Sequence, residues 1–319
     1  MNPDMPPIPT GPPPPCRGGG ATAGRITTAG LAVGPAGLVC ALVCATVAAL
    51  VAPGPAPAQV PEWLFPDRAL LPELMAGPRD PVTAGQLVYS WENPTAFGPG
   101  VSGEVAISGG VPVIRLAGSG ERDALVVGLE GAAFARFSFQ VVTRELVNTD
   151  WIFAVPLVWH RGDHWLRLRY YHTSSHLGDE YQRRFGPSSI NFSRDGADLT
   201  AYLRPGARVA ERIGLAVYGL VFYSVNSHPE ERGLWEARAG VELDPSDGGL
   251  WQPFLTADVH VEEGTGWYPR VTLQAGIWLP EVSQRPVRLA LELITGPSPM
   301  GQFRDGDAGR IAARLAWSP

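Results

Sequence analysis

Between residues 163 and 176 apolar and polar positions alternate with period two. Leu166, Leu168, Tyr170, His172 and Ser174 fall on one face, and Arg167, Arg169, Tyr171, Thr173 and Ser175 on the other. From residue 86 onward the chain repeats this habit in short runs bounded by Gly, Pro, Asn or Asp, the signature of an all-β chain. The pattern places strand pieces near 86–92, 101–108, 111–117, 123–131, 132–142, 150–160, 163–176, 188–204, 208–225, 233–244, 250–262, 267–280, 285–296 and 308–317. An arginine-bearing face opposite an aliphatic one is hard to seat between two packed sheets and natural in a barrel with a wet bore. Barrels take an even number of strands of about 9–11 residues, so some pieces must merge, and the expected fold is an antiparallel transmembrane β-barrel of about 12 strands. A secreted β-sandwich with core tryptophans is the competing reading.

The connections support the barrel. If the last strand descends to a periplasmic C-terminus, 297–307, 226–232 and 177–187 are outer loops, while 281–284, 245–249, 205–207 and 160–163 are periplasmic turns. Trp151, Trp159, Trp165, Trp235, Trp251, Trp267 and Trp278 lie near strand ends, where interfacial girdles belong.

The N-terminal part follows other rules. Residues 1–24 form a Pro/Gly-rich extension without periodicity. Residues 26–51 carry no charge, Arg17 and Arg25 precede them, and Ala56-Pro57-Ala58 supplies small residues for a signal peptidase. Residues 25–58 therefore read as a signal peptide cleaved near Ala58, with a single-pass anchor as the alternative. Cys40 and Cys44 follow valines, which disfavours lipoprotein processing. Residues 59–85, rich in proline, read as a short periplasmic lead-in, and 86–319 as the barrel.

Composition narrows the function classes. All 25 basic residues are arginine, the net charge is −6, and no basic stripe suggests nucleic acid. The three cysteines, Cys16, Cys40 and Cys44, all precede the expected cleavage site, so the mature chain has neither a disulfide framework nor a thiolate metal site.

The strings His172-Thr-Ser-Ser-His-Leu-Gly-Asp-Glu180 and Gly296-Pro-Ser-Pro-Met-Gly-Gln-Phe303, with Asn191 between them, resemble the bacterial family called domain of unknown function 1207. The resemblance runs from about residue 65 to the C-terminus and implies an outer-membrane β-barrel, a location without an activity. Membrane lipids or lipopolysaccharide, and the barrel-assembly machinery, are the partners it implies.

A shorter resemblance concerns chemistry. Outer membrane phospholipase A and lipid A 3-O-deacylase carry His-x-Ser on a barrel strand, and His172-Thr173-Ser174 is similar to that motif. Two residues apart on a strand share a face, so an imidazole can serve a hydroxyl as general base. Parity puts the pair on the lipid-facing side. The resemblance implies Ser174 as nucleophile, His172 as base and Asn191 as the residue that orients the imidazole, although Ser175 stands where the phospholipase has an asparagine. Ser175, His176, Gly178, Glu180 and Gln302 are the neighbouring binding candidates. Asp179 is the ligand candidate for calcium, the cation the phospholipase resemblance implies. A lipid acyl-ester hydrolase stands beside two alternatives, a structural barrel and a small-ligand-binding or transport barrel. In the non-catalytic readings the polar residues form a hydrogen-bonded rim and the GPSPMGQF segment is a latch.

Overall fold

The computed structural model describes residues 62–120, 122–186, 189–206, 208–210, 213–229, 233–245, 252–279 and 287–317. The expected extension, the signal peptide and Trp251 lie outside these residues. The strands are β1 (Glu62–Leu64), β2 (Thr83–Glu92), β3 (Gly100–Gly120), β4 (Asp123–Ser138), β5 (Leu146–Arg161), β6 (His164–Leu177), β7 (Phe192–Leu203), β8 (Arg208–Ala210), β9 (Ile213–His228), β10 (Trp235–Pro245), β11 (Gln252–Glu262), β12 (Arg270–Leu279), β13 (Val287–Pro297) and β14 (Asp307–Trp317), with helix α1 (Asp179–Phe185) between β6 and β7. Apart from the short pieces β1 and β8, each strand pairs antiparallel with its neighbours, and β14 returns to β2. The result is a closed twelve-stranded barrel.

Closure fits the alternation. Along β4, β5, β6 and β14 burial alternates from residue to residue over most of each strand, and the intervening positions are mostly apolar and turned outward. Ile107, Leu291 and Phe153 are 66%, 59% and 53% exposed, parts of a continuous apolar exterior far larger than a water-soluble monomer tolerates. Inside, the bore is packed with charge: Arg169 meets Asp198 at 2.7 Å, Arg136 meets Glu104 at 2.9 Å and Arg314 meets Glu292 at 3.2 Å. A β-sandwich core would be apolar, so this interior excludes that reading. Arg136, Arg167, Arg169 and Arg194 line the bore, whereas Arg144, Arg183 and Arg184 belong to loop or helix at one rim. Among the described residues no helix is long and apolar enough to cross a membrane.

The C-terminal ends of β2, β4, β6, β9, β11 and β13 lie at one rim, the one expected to face outward, and the opposite rim carries the connection at 162–163 and the end of β14. Two expected breaks are absent. Pieces 101–108 and 111–117 are one strand, β3, and 123–131 runs on into 132–138 as β4, which ends four residues short of the expected 142. Gly110 reads as punctuation but serves close approach: a Cβ there would lie 3.2 Å from Leu71, and one on Gly128 would lie 2.7 Å from it.

Leu71 belongs to a segment that departs from expectation. Residues 66–82 read as a lead-in outside the barrel, yet they run through the bore. Leu70, Leu74 and Ala76 are almost fully buried. His160 of β5 bonds the Leu70 carbonyl at 3.0 Å, the Met75 amide donates to Glu242 of β10 at 2.7 Å, and Arg238 of β10 holds Asp80 at 2.9 Å. Glu73 lies 3.9 Å from Arg288 of β13, and Arg79 reaches Asp150 of β5 at 2.9 Å. Partners on strands all around the ring require a luminal plug. The tryptophans divide similarly: Trp151 and Trp235 face outward as a girdle requires, but Trp165 stacks on Tyr202 and Trp278 packs on Phe254 within the bore. Trp165 shares odd parity with Arg167 and Arg169 of β6, and Trp278 shares even parity with Arg270 of β12, so both stand on the arginine side of their strands.

Candidate functional site

Strands β5, β6, β7 and β9 run side by side and set two rows of outward residues near the loop-bearing rim. Trp151, Ser174, Ser193 and His228 are paired across the strands in one row, and Phe153, His172, Asp195 and Asn226 in the next. A polar island thus sits on an otherwise apolar wall, bordered by Trp151 and Phe153, both about half exposed. Asn226 reaches its place through a bulge: Gly196 pairs with Ser224 and Asp195 with Asn226, so Val225 is the extra residue. Without that insertion Val225 would stand opposite Asp195 and Asn226 would point into the bore.

His172 Nδ1 lies 2.8 Å from Asp195 Oδ1. A carboxylate only accepts, so Nδ1 carries the proton and Nε2 is left as the basic nitrogen. Tyr170 donates its hydroxyl to Asp195 Oδ1 at 3.3 Å, and Asn226 Nδ2 donates to Oδ2 at 3.3 Å, so the carboxylate is held from both sides. The His172 side chain is 45% exposed. Ser174 shares its face one pleat nearer the rim, and among the described residues no hydrogen bond joins the two. The arrangement supplies a hydroxyl, an imidazole of defined tautomer and an orienting acid, the parts of a serine nucleophile.

The other expected residues divide. Asn191 precedes β7, is exposed, and does not meet His172; the partner of the histidine is Asp195, four residues on. Residue 195, not 191, is the β7 position paired with His172, so Asn191 falls four residues short of that register. Ser175 points inward, bonded to Asp150, and accepts the Gln302 amide at 3.1 Å. Gln302 donates to the carbonyls of Ser175 at 2.6 Å and Ile190 at 2.8 Å, so the 298–306 loop is latched across the barrel mouth. These two residues fasten loops. His176 is exposed at the rim beyond Ser174. Gly178 is the N-cap of α1, where a Cβ would meet the Leu146 carbonyl at 2.0 Å. Asp179 and Glu180 open that helix in solvent, and Glu180 pairs with Arg183 at 3.6 Å.

Among the described residues Asp179 belongs to no group of three potential metal ligands. Among the described residues the group bringing three potential metal ligands within 4.8 Å is Glu236, His260 and Glu262, inside the bore. Asp195, Asn226, Tyr170, Ser193 and His228 were not singled out from sequence. Asp195 shares the outward face with Leu199, but Asn191 and Ser193 have the same parity, so parity does not choose among them.

Comparison with known proteins agrees with the barrel. The model of a family described as "Protein of unknown function (DUF1207)" matches residues 37–316. Outer membrane phospholipase A from Escherichia coli superposes with a TM-score of 0.50 at 15% identity, covering 75% of this chain and 94% of that one. The Salmonella typhi outer membrane phospholipase dimer with bound calcium gives 0.51 at 14% identity, covering 78% and 95%. A KdgM porin aligns at a TM-score of 0.38 and 9% identity, over 74% of this chain and 98% of that one. At 14–15% identity the likeness to the two phospholipases is one of fold. No curated protein matches this chain in sequence.

Proposed function

This chain belongs to the DUF1207 family, and we propose that it is an outer-membrane hydrolase that cleaves acyl esters of membrane lipids at its outward wall. The observation that carries the reading is the 2.8 Å contact of His172 Nδ1 with Asp195 on the same outward face as Ser174. Ser174 attacks the ester carbonyl, His172 Nε2 takes the hydroxyl proton and passes it to the leaving alcohol, and Asp195 holds the imidazole in its tautomer and stabilises the imidazolium. Water then releases the fatty acid from the acyl-serine by the same base. Trp151 and Phe153 give the acyl chain an apolar bed beside the serine, and the exterior belt supports placement in a membrane. The bore, filled by its own ion pairs and by residues 66–82, argues against a general porin.

The test is fatty-acid release from phospholipid mixed micelles by the detergent-solubilised barrel, with calcium and with chelator. Wild type is expected to release fatty acid, and Ser174→Ala and His172→Ala to release none while keeping heat-modifiable migration. The lack of a Ser174–His172 hydrogen bond favours a second reading, in which the island is a rim network pinning β6 to β7 and β9. Wild type that releases nothing from phospholipid or lipid A under either condition selects that reading.

A further inference from the structure

Opposite the polar island in the strand order, the wall formed by β2, β14, β13 and β12 carries an apolar groove of about 660 Å³. Register explains the hollow. Gly103, Leu87, Ala313, Leu291 and Ala275 are paired in one row across β3, β2, β14, β13 and β12, and Gly85 pairs with Leu315 in the next. All carry the odd parity that faces outward on these strands. The small residues at 85, 313 and 275 lower the surface between the leucines. From Gly103 to Ala275 there are four strand steps of about 4.8 Å, roughly 19 Å in all, the length of a long fatty-acyl chain. Arg314 also borders the groove, but its side chain turns into the bore and meets Glu292 at 3.2 Å.

Two glycines of this wall differ in what fills the space above them. A Cβ on Gly103 would lie 2.5 Å from the Phe139 ring, which comes down from the end of β4 into the notch. A Cβ on Gly85 would meet nothing within 4 Å. One notch is occupied by the chain itself, and the other is open to the membrane. Phe139 also bounds the groove at its rim end, and there the Arg144 guanidinium stands 5.1 Å from the centre of that ring and donates to the Phe139 carbonyl at 3.1 Å. Arg144 is exposed and forms no ion pair among the described residues, whereas Arg184 is held by Glu145 and Arg183 by Glu180.

We propose that this groove binds one acyl chain of a glycerophospholipid whose phosphate sits on Arg144. The groove is continuous with the apolar belt, so its occupant comes from the bilayer, and the guanidinium at its rim end complements a phosphate. One uncommitted cation beside a groove one chain wide fits a lipid with a single phosphate. Lipid A, with several chains on a phosphorylated disaccharide, needs a broader face and more cations. The site involves neither Ser174 nor His172 and does not depend on hydrolysis.

Native mass spectrometry of the full barrel in detergent tests this, with dioleoylphosphatidylglycerol, dioleoylglycerol and lipid A as probes. Wild type is expected to retain one phosphatidylglycerol per chain, about fivefold more tightly than dioleoylglycerol, which has the same chains and no phosphate. Arg144→Gln is expected to abolish that preference and leave dioleoylglycerol binding unchanged. Gly85→Leu, whose side chain enters open space, is expected to weaken both lipids at least about fivefold while keeping heat-modifiable migration. Should that variant fail to fold, the exposed Arg144→Gln still decides. Equal retention of the two dioleoyl lipids by wild type, or binding untouched by Gly85→Leu, overturns the proposal. Tighter retention of lipid A overturns it too, as does a dimer that Gly85→Leu disperses, because the groove would then be covered by a second copy.

Discussion

Replacing Asp195 by asparagine probes the proposed site without emptying it. Asparagine keeps the shape and can still receive Asn226, but it removes the negative charge that lies 2.8 Å from His172 Nδ1. The missing interaction matters most when the imidazole becomes imidazolium, so the loss belongs to the transition state and should fall on kcat rather than KM. A hydrogen bond to a charged group contributes about 1.5–3 kcal/mol, and an exposed pair about 1 kcal/mol or less. With side chains 45% and 23% exposed, the pair belongs near the lower end of the first range, about 1.5–2 kcal/mol. That corresponds to roughly a 10- to 30-fold lower kcat. Initial rates of fatty-acid release from mixed micelles, with heat-modifiable migration as the folding check, measure it. Activity within about twofold of wild type would refute the orienting role, because a charge making this contact cannot be silent if His172 is the base. A loss as complete as that of Ser174→Ala would also refute it, since it would make Asp195 part of the bond-breaking itself.

Two further outcomes test the frame around the site. Arg238 bridges Asp80 of the plug and Asp258 of the wall at 2.9 and 3.0 Å, so Arg238→Met strands two buried carboxylates and should cost about 3–5 kcal/mol in urea unfolding from detergent, whereas Asp80→Asn, which leaves Arg238 its Asp258 partner, should cost distinctly less; equal effects would contradict the luminal pairing. At the rim, Arg184 hydrogen-bonds Glu145 at 2.8 Å and holds its carboxyl below the usual range. A depressed carboxyl stabilises above its unfolded pKa, about 4.3, and the contribution disappears as pH falls through the folded value. Limited proteolysis of the 139–145 and 178–191 loops should therefore quicken at acid pH in wild type, and Arg184→Ala should show the fast rate at neutral pH too.

The barrel was legible because a wall between lipid and a charged bore forces strict alternation, and β6 with its Leu166/Arg167 and Leu168/Arg169 steps displays both environments in one strand. Strand boundaries were less legible where glycine had a luminal purpose: Gly110 and Gly128 make room for Leu71, a partner some forty residues or more away in the chain. The plug was hidden for the same reason. Its prolines and mixed charges read as linker, and only Glu242, Arg238, Arg288 and His160, scattered over three strands, show where it belongs. In the site, His172 and Ser174 came into view through the resemblance to His-x-Ser, with period two placing both on one face. Asp195 did not, because the resemblance implies an asparagine on the next strand and so points to Asn191, whereas the register pairs His172 with residue 195. Asn226 depends on a bulge that leaves no local pattern in the sequence.

The account stands most directly on whether His172 activates Ser174 at the outer wall. Treating the solubilised barrel with a fluorophosphonate and mapping the adduct by peptide mass spectrometry measures this without any assumption about the lipid. One adduct per chain is expected, on Ser174, strongly reduced in His172→Ala. An unmodified protein, an adduct on Ser193, or equal labelling in His172→Ala would contradict it.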